Sequence, residues 1–179
     1  MLLRLFQFAI CVLLLASSAQ ADTYSRKLFG GWIDLDGDCQ NTRQEILIAR
    51  SLTKVTLKAK GCRVISGLWI DAYTGDIERD ASKLDIDHLV PLAEAFRSGA
   101  DSWSFEQRRA FANDPQNLVI TSRNINRAKG DGDPASWLPD IPFTRCSYLT
   151  AWLTIKTKWK LNMDEIESQQ IAKAQARCP

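Results

Sequence analysis

The alternation of apolar and polar positions along the chain predicts short strands interspersed with helices. Val55 and Leu57 alternate with polar neighbours and predict a strand, which a Lys-Gly turn joins to a second strand over 62–70. Shorter apolar runs predict further strands over 84–87 and 118–121. Helices are predicted over 41–52, 92–98, 104–112, 144–159 and 164–176, with another beginning at Asn124. This order of elements is typical of an α+β fold with a small antiparallel hairpin.

Polar residues mark the predicted helix starts and loops. Ser104 and Gln107 have the spacing of a capping box, and Asn162 is the expected cap of the last helix. Residues 22–33 have no repeating pattern and are expected to form an irregular N-terminal arm. Pro, Gly and Asp residues predict a loop over 130–142.

The first 21 residues have the features of a secretory signal peptide. Arg4 precedes an apolar run over 5–16, and residues 19–21 read Ala-Gln-Ala, an A-x-A cleavage site. The mature chain, residues 22–179, is therefore expected to be secreted or periplasmic and to fold as a single domain. No later segment approaches the roughly 18 apolar residues that span a bilayer, so no stable membrane association is expected after cleavage.

The cysteine count predicts disulfides. Cleavage removes Cys11 and leaves four cysteines, which in an exported chain indicate two bridges with three alternative connectivities. We favour Cys39–Cys62 and Cys146–Cys178, because each pair joins sequence neighbours and closes a modest loop. A zinc site built from all four cysteines is the alternative, and the lack of any C-x-x-C pair in the sequence counts against it.

Composition narrows the function classes. The chain is 45% hydrophobic and 25% charged, which is typical of a globular protein and excludes wholesale disorder. Its 23 basic and 21 acidic residues give a net charge of +2, too small for binding to nucleic acid by overall charge. Such binding would need local clusters of basic side chains or a metal ion. The single histidine, His88, excludes zinc sites with several histidines.

The stretch around His88 carries the clearest chemical signal. A predicted strand ends in Asp87 and His88, and Pro91 stops the following loop. Asn117 opens the next strand, and Asn126 lies in the helix after it. This order brings Asp, His and Asn side chains toward one point. Carboxylate and amide oxygens suit Mg²⁺, and a neutral imidazole can take a proton from water, so the set suits metal-assisted phosphodiester hydrolysis.

Three strings carry a family resemblance: D-H-L-V-P at 87–91, N-L-V at 117–119 and N-R-A-K at 126–129. In this order they resemble the HNH (ββα-metal, or His-Me finger) nucleases, and among these the secreted proteins similar to the C-terminal domain of GmrSD-type restriction enzymes. The nine-residue step from Asn117 to Asn126 is similar to that in the HNH domain of RNA-guided CRISPR nucleases. Further strings at 32–45 and 69–75 extend the resemblance over most of the mature chain. It implies a ββα-metal core over about 82–131 with additional helices.

The resemblance implies a role for each motif residue. His88 would be the general base. Asp87 and Asn126 would bind one divalent metal, Mg²⁺ in the first instance, with Mn²⁺ and Ca²⁺ as alternatives. Asn117 would brace the loop and orient the base. Lys129 would either lie near the scissile phosphate or support the helix.

Three features leave parts of this assignment open. If Asn124 rather than Asn126 faces the metal, the ligand shifts by about half a helical turn. Asp85 shares a strand face with Asp87, where it is either a support of the site or a surface carboxylate. An insertion over 93–113 separates the histidine from the middle Asn and is longer than in compact HNH domains.

A second cluster of oxygen-bearing residues precedes the motif. Its members fall at positions 1, 3, 5, 7, 9 and 12 of an EF-hand-like loop: Asp34, Asp36, Asp38, Gln40, Thr42 and Glu45. This spacing favours a Ca²⁺ site, although Cys39 occupies the position that requires Gly. Alternatively, Asp38 caps the following helix, and Arg43 and Glu45 reach the active site.

Basic residues gather near the motif and form the expected nucleic-acid surface. They are Arg97, Arg108, Arg109, Arg123, Arg127 and Lys129, with a second group at Lys156, Lys158 and Lys160. Contacts from such side chains to phosphates are largely independent of base sequence. We therefore expect a nonspecific endonuclease acting on DNA, with RNA as a second candidate substrate.

Two other functions compete with this hypothesis. The first is a non-catalytic extracellular protein on an HNH scaffold that binds Ca²⁺ or polyanions. The second is a different hydrolase, but the sequence has no G-x-S-x-G motif, and a Ser/His enzyme would have to use His88 itself.

Overall fold

The computed structural model describes residues 23–178, and the predicted signal peptide at 1–21 lies outside them. The described part contains six α-helices, five strands and short 3₁₀ turns. The helices are α1 (Thr42–Ala49), α2 (Leu92–Arg97), α3 (Phe105–Ala112), α4 (Arg123–Lys129), α5 (Pro142–Trp159) and α6 (Glu165–Gln175). The strands are β1 (Thr56–Leu57), β2 (Val64–Ile70), β3 (Ile77–Asp80), β4 (Leu84–His88) and β5 (Leu118–Ser122). The α+β class is confirmed.

A three-stranded antiparallel sheet has the order β1-β2-β3. Its first two strands are the hairpin that the alternating pattern predicts. The pattern does not predict β3. This edge strand is exposed or half-buried along its whole length, so no apolar face marks it in the sequence.

A separate two-stranded sheet leads into α4. β4 and β5 pair antiparallel, from Leu84 opposite Ser122 to His88 opposite Leu118. α4 starts at Arg123, directly after β5 and one residue before the predicted start. The strand–strand–helix order of this segment is the one that the motif strings imply.

The two-residue period of β4 divides its side chains between the core and the site. Leu84 and Ile86 are buried in one hydrophobic core together with Trp69 of β2. Asp85 and Asp87 point to the opposite face, toward α4. The core therefore sets the register that presents both carboxylates to the helix.

A second core lies among α2, α3, α5 and α6. The N-terminal arm, described from Thr23 onward, contributes Phe29 to it through a 3₁₀ turn at Arg26–Phe29. Phe29 is fully buried, with its ring centroid 6.2 Å from that of Phe111 in α3. The arm is thus anchored by its own apolar side chain.

The predicted cap is present in α3, whereas the caps of α6 and α1 differ from the predicted ones. Both bonds of the Ser104–Gln107 capping box are present. The cap of α6 is Asp164 rather than the predicted Asn162, because the Asp164 carboxylate accepts from the first helical turn. Asn41, not Asp38, caps α1.

Both expected disulfides are present, Cys39–Cys62 and Cys146–Cys178. The first joins the acidic loop to the start of β2, and the second joins α5 to the end of α6. Their sequence separations are 23 and 32 residues. In the chain-entropy model, loops of this length stabilise the folded state by about 3 to 4 kcal/mol each.

One of the predicted surface lysines is in the interior. Lys156 is 1% exposed, and its ammonium donates to Glu94 at 2.7 Å and to Glu167 at 3.2 Å. It therefore does not belong to a nucleic-acid surface. It lies on the buried face of α5, four residues after Trp152. Across residues 23–178, no helix is both long and apolar enough to cross a bilayer.

Candidate active site

His88 ends β4 and is 4% exposed. Its Nε2 lies 2.8 Å from the Ala112 carbonyl oxygen at the end of α3. A carbonyl can only accept a hydrogen bond, so Nε2 carries the proton and Nδ1 retains a lone pair. Burial lowers the pKa of His88 to about 3, so the ring is neutral near pH 7.

Trp32 of the N-terminal arm stacks on the imidazole. The ring centroids are 5.3 Å apart and the planes differ by 7°. The carbonyl of Ala112 and the indole of Trp32 together restrain the position and orientation of the ring. Sequence reasoning assigned Trp32 no such role, although it lies in one of the strings that carry the resemblance.

Asp87 lies beside the histidine, buried between two donors. Its Oδ2 accepts from the Tyr73 hydroxyl at 2.7 Å and from the Lys129 ammonium at 2.8 Å. Burial raises the pKa of Asp87, and both partners oppose this by stabilising the carboxylate. Tyr73 is a site residue that the sequence analysis did not single out, although the 69–75 string contains it.

Lys129 supports the strand end. Its side chain is fully buried, and besides Asp87 it donates to the His88 carbonyl at 2.9 Å. Burial lowers the pKa of its ammonium, and the Asp87 carboxylate counters that shift. Of the two roles considered for Lys129, this position favours support of the site over contact with a phosphate, because the amine does not reach solvent.

Asn117 braces the loop after β4. Its Oδ1 accepts from the Val90 amide at 2.8 Å, and its Nδ2 donates to the Val90 carbonyl at 3.1 Å. Its own carbonyl accepts from the Leu89 amide at 2.8 Å. Three hydrogen bonds from one fully buried residue thus hold the chain just beyond His88.

Asn126 of α4 faces β4. Its Nδ2 donates to Asp85 Oδ2 at 3.0 Å. A carboxylate only accepts, so the amide nitrogen faces Asp85, and the amide oxygen of Asn126 accepts no hydrogen bond within residues 23–178 and can bind a ligand. Asn124 is exposed and does not line the cleft described below, so the geometry favours Asn126 over Asn124 as the ligand.

The Asp85 carboxylate has two arginines around it. Arg123 at the start of α4 approaches it to 3.7 Å. Arg43 of α1 donates to the Leu84 carbonyl at 3.1 Å; burial lowers the pKa of its guanidinium, and the charge of Asp85 opposes part of that shift. Arg43 therefore contacts the start of β4 and does not line the cleft described below, so a role for Arg43 in the active site stays a prediction.

A cleft of about 390 Å³ unites the candidate residues. Asp87, His88 and Asn126 all line it, so β4 and α4 deliver them to one space. A smaller cavity of about 150 Å³ is lined by Trp32 and other residues of the arm. His88 lines both spaces.

The predicted nucleic-acid contacts have different surroundings. Arg97 and Arg127 both line the cleft. Arg97 is already paired with Asp131 at 2.7 Å and with Glu94 at 3.1 Å, whereas Arg127 is exposed. Arg123 is half-exposed beside Asp85, outside the lining of the cleft.

The acidic loop is an exposed cluster. Carboxylate oxygens of Asp34, Asp36 and Asp38 lie within 4.8 Å of one another. Backbone amides of the same loop donate to all three carboxylates. Desolvation and then the charges of these aspartates raise the pKa of Glu45, which places Glu45 with this loop. Binding of a cation there stays a prediction.

The donor set in the cleft suits a hard divalent cation. Asp87 Oδ1 and the amide oxygen of Asn126 are oxygen ligands of the kind that Mg²⁺ prefers, and two protein ligands leave positions for water and phosphate. A neutral imidazole stands beside them. These are the groups that a metal-assisted hydrolase requires.

Comparison with known proteins gives the family. The model of the GmrSD restriction endonucleases, C-terminal domain, matches residues 41–174, which are 134 of 179 residues. The chain belongs to this family. It is also 39% identical over 159 residues to an "Uncharacterized secreted protein" of Arthroderma benhamiae (strain ATCC MYA-4681 / CBS 112371), a match that covers 88% of this chain and 76% of that protein. No solved structure matches the chain.

Proposed function

We propose that the protein is a metal-dependent HNH-type endonuclease that hydrolyses phosphodiester bonds of DNA, with RNA as a second substrate. The observation that carries the proposal is the convergence of His88, Asp87 and Asn126 on one cleft. Membership of a restriction endonuclease family supports nucleic acid as the substrate class.

His88 is the general base in this proposal. Its Nε2–H is held by the Ala112 carbonyl, so the lone pair on Nδ1 takes the proton from the attacking water. A bound phosphodiester brings negative charge next to the ring. This charge favours the imidazolium and offsets part of the effect of burial.

Asp87 and Asn126 are the proposed metal ligands. Tyr73 and Lys129 hold Oδ2 of Asp87, which orients Oδ1, and Asp85 holds the amide nitrogen of Asn126. When bound, Mg²⁺ would stabilise charge on the phosphate and on the departing oxygen. Mn²⁺ and Ca²⁺ are the alternative ions.

Secretion is part of the proposal. The expected leader at 1–21, the two disulfides and the "secreted" description of the fungal relative support activity outside the cytoplasm. The nuclease is expected to be nonspecific. The sequence predicts no element that would contact base edges, and the arginines that line the cleft would contact phosphates.

Nicking of supercoiled plasmid tests the proposal. Oxidised wild-type protein should nick DNA with Mg²⁺ and stop when EDTA is in excess. His88→Ala should lower the rate by about 10²- to 10⁴-fold, the usual contribution of a general base. Asn126→Ala should also lose activity, whereas Asn124→Ala, an exposed change on the same helix, should keep it.

Circular dichroism and thermal unfolding check that each variant is folded. Labelled single-stranded DNA, double-stranded DNA and RNA in parallel reactions identify the substrate. If folded wild-type protein cleaves none of them with Mg²⁺, Mn²⁺ or Ca²⁺, the nuclease proposal is wrong. Binding without cleavage would then favour the non-catalytic protein.

A further inference from the structure

The N-terminal arm reaches the cleft from outside the family match, which begins at residue 41. We propose that this arm is part of the active site and that Arg26 contacts a phosphate of the bound nucleic acid. This inference rests on the proposed function, and it assigns a substrate contact to a segment that the motifs do not cover.

Arg26 belongs to both of the spaces that His88 lines. Its side chain lines both the 390 Å³ cleft and the 150 Å³ cavity. An arginine here can reach a phosphate that lies against the histidine.

The guanidinium of Arg26 is available to a ligand. It is exposed, and within residues 23–178 it makes no ion pair or side-chain hydrogen bond. Arg97, by contrast, lines the same cleft with its guanidinium engaged by Asp131 and Glu94. A phosphate would have to displace those carboxylates from Arg97, whereas Arg26 has no such partner within the described residues.

Arg127 complements Arg26 from α4. It is also exposed, and it too has no ion-pair partner in the described part of the chain. The arm and the helix therefore each contribute to the cleft that contains His88 a guanidinium without an ion-pair partner among residues 23–178. A phosphodiester backbone, which repeats its charge at every nucleotide, can engage both.

The arm is held firmly enough to position Arg26. Besides the buried Phe29, the Arg108 side chain donates to the Leu28 carbonyl at 3.2 Å. Asn113 donates to the Gly31 carbonyl at 3.2 Å and accepts from the Ile33 amide at 3.1 Å. Anchoring on both sides lowers the ordering cost of binding a phosphate with Arg26.

The anchors belong to the insertion at 93–113. α3 lies within it, and the same helix supplies the Ala112 carbonyl that orients His88. The segment that departs from compact HNH domains thus builds one wall of the site and holds the arm against it. This gives the insertion a function in the proposed enzyme.

Matched variants in the 3₁₀ turn test the proposal. Arg26→Gln removes the charge that lines the cleft, and Lys27→Gln removes the adjacent exposed charge that lines neither space. Affinity for a labelled 20-nucleotide duplex is measured by fluorescence anisotropy in EDTA, where no turnover occurs. Arg26→Gln should weaken binding about 10-fold, within the range for loss of a charged hydrogen bond. Lys27→Gln should change it less than about 2-fold.

Salt dependence identifies the contact as one to phosphate. Loss of one phosphate contact should reduce the slope of log K against log salt by about 0.9 for Arg26→Gln. Arg26→Lys keeps the positive charge and should retain the slope of the wild type. If Arg26→Gln and Lys27→Gln bind alike, or if the slope is unchanged, the proposal is wrong.

The two proposals can fail separately. Cleavage of plasmid by wild type, combined with equal DNA binding by the two Gln variants, overturns the role of Arg26 and leaves the nuclease. Loss of affinity in Arg26→Gln without cleavage by wild type overturns the nuclease and leaves the phosphate contact. A wild-type protein that binds no nucleic acid overturns both.

Discussion

Asn117 offers a sharp test of how the loop after His88 is held. Its amide group makes two hydrogen bonds to Val90, at 2.8 Å and 3.1 Å, and both residues are fully buried. Asn117→Ala removes the whole amide and leaves the N–H and C=O of Val90 without side-chain partners. The loop that they stabilise directly follows His88.

The expected cost follows from this geometry. A buried polar group that loses its partner costs about 1 to 3 kcal/mol, so two such groups cost about 2 to 6 kcal/mol. Water that enters the space left by the amide recovers part of this. We expect Asn117→Ala to lower the free energy of unfolding by about 3 kcal/mol, a large fraction of the total for a domain of this size.

Urea unfolding followed by tryptophan fluorescence measures the change. Asn117→Asp should also be destabilised, because its second oxygen faces the Val90 carbonyl where the wild type has a donor. Asn124→Ala, on the exposed side of α4, should stay within about 0.5 kcal/mol of wild type. A loss below about 1 kcal/mol for Asn117→Ala would refute the bracing role.

Two further predictions concern buried charge. The folded pKa of His88 is lowered, so below about pH 6.5 the unfolded chain binds a proton that the folded chain does not. This group should therefore lower the free energy of unfolding by up to about 1.4 kcal/mol for each pH unit as the pH drops toward 3. The His88→Gln variant should lose that component. If the free energies of unfolding of wild type and variant, measured in EDTA, change with pH in parallel, the prediction is wrong. Lys156→Met should cost about 3 to 5 kcal/mol, because Glu94 and Glu167 remain buried without their cation. Lys173→Met, at an exposed position of α6, is the control. Replacing both glutamates by Gln in the Lys156→Met protein should restore most of the loss measured in urea.

The chain order of the motif residues was enough to predict the candidate site. Each of the three elements involved is a local pattern in the sequence. They are a strand that ends in Asp87 and His88, a strand that follows Asn117, and a helix that contains Asn126. Their convergence follows from pairing those two strands and placing the helix next. The structure has this arrangement, with His88 opposite Leu118.

The supporting residues were not predicted, because their contacts are distant in sequence. Trp32 is 56 positions from His88, and Arg26 comes from an arm without any repeating pattern. Tyr73 reaches Asp87 from a turn in the other sheet region. Nothing in the periodicity of a segment specifies which distant side chain will pack against it.

Burial of charge was also decided by tertiary packing. Lys129 and Lys156 read as surface residues, since lysine is mostly exposed in proteins. In the structure each is buried because carboxylates from other elements meet it, Asp87 for one and two glutamates for the other. Only the arrangement of helices brings these opposite charges together.

Four features could be read from local patterns: the α+β class, the β1–β2 hairpin, the α3 capping box and the order of the Asp, His and Asn residues. These depend on periodicity, caps and motif spacing, which act over a few residues. Three others depend on packing between distant segments: the edge strand β3, the closure of the site by the arm and α3, and the burial of the lysines. Such features depend on which surfaces meet after collapse. Side-chain contacts between distant segments then keep the imidazole of His88 neutral, hold the carboxylate of Asp87, and orient Asn126 so that its amide oxygen is accessible.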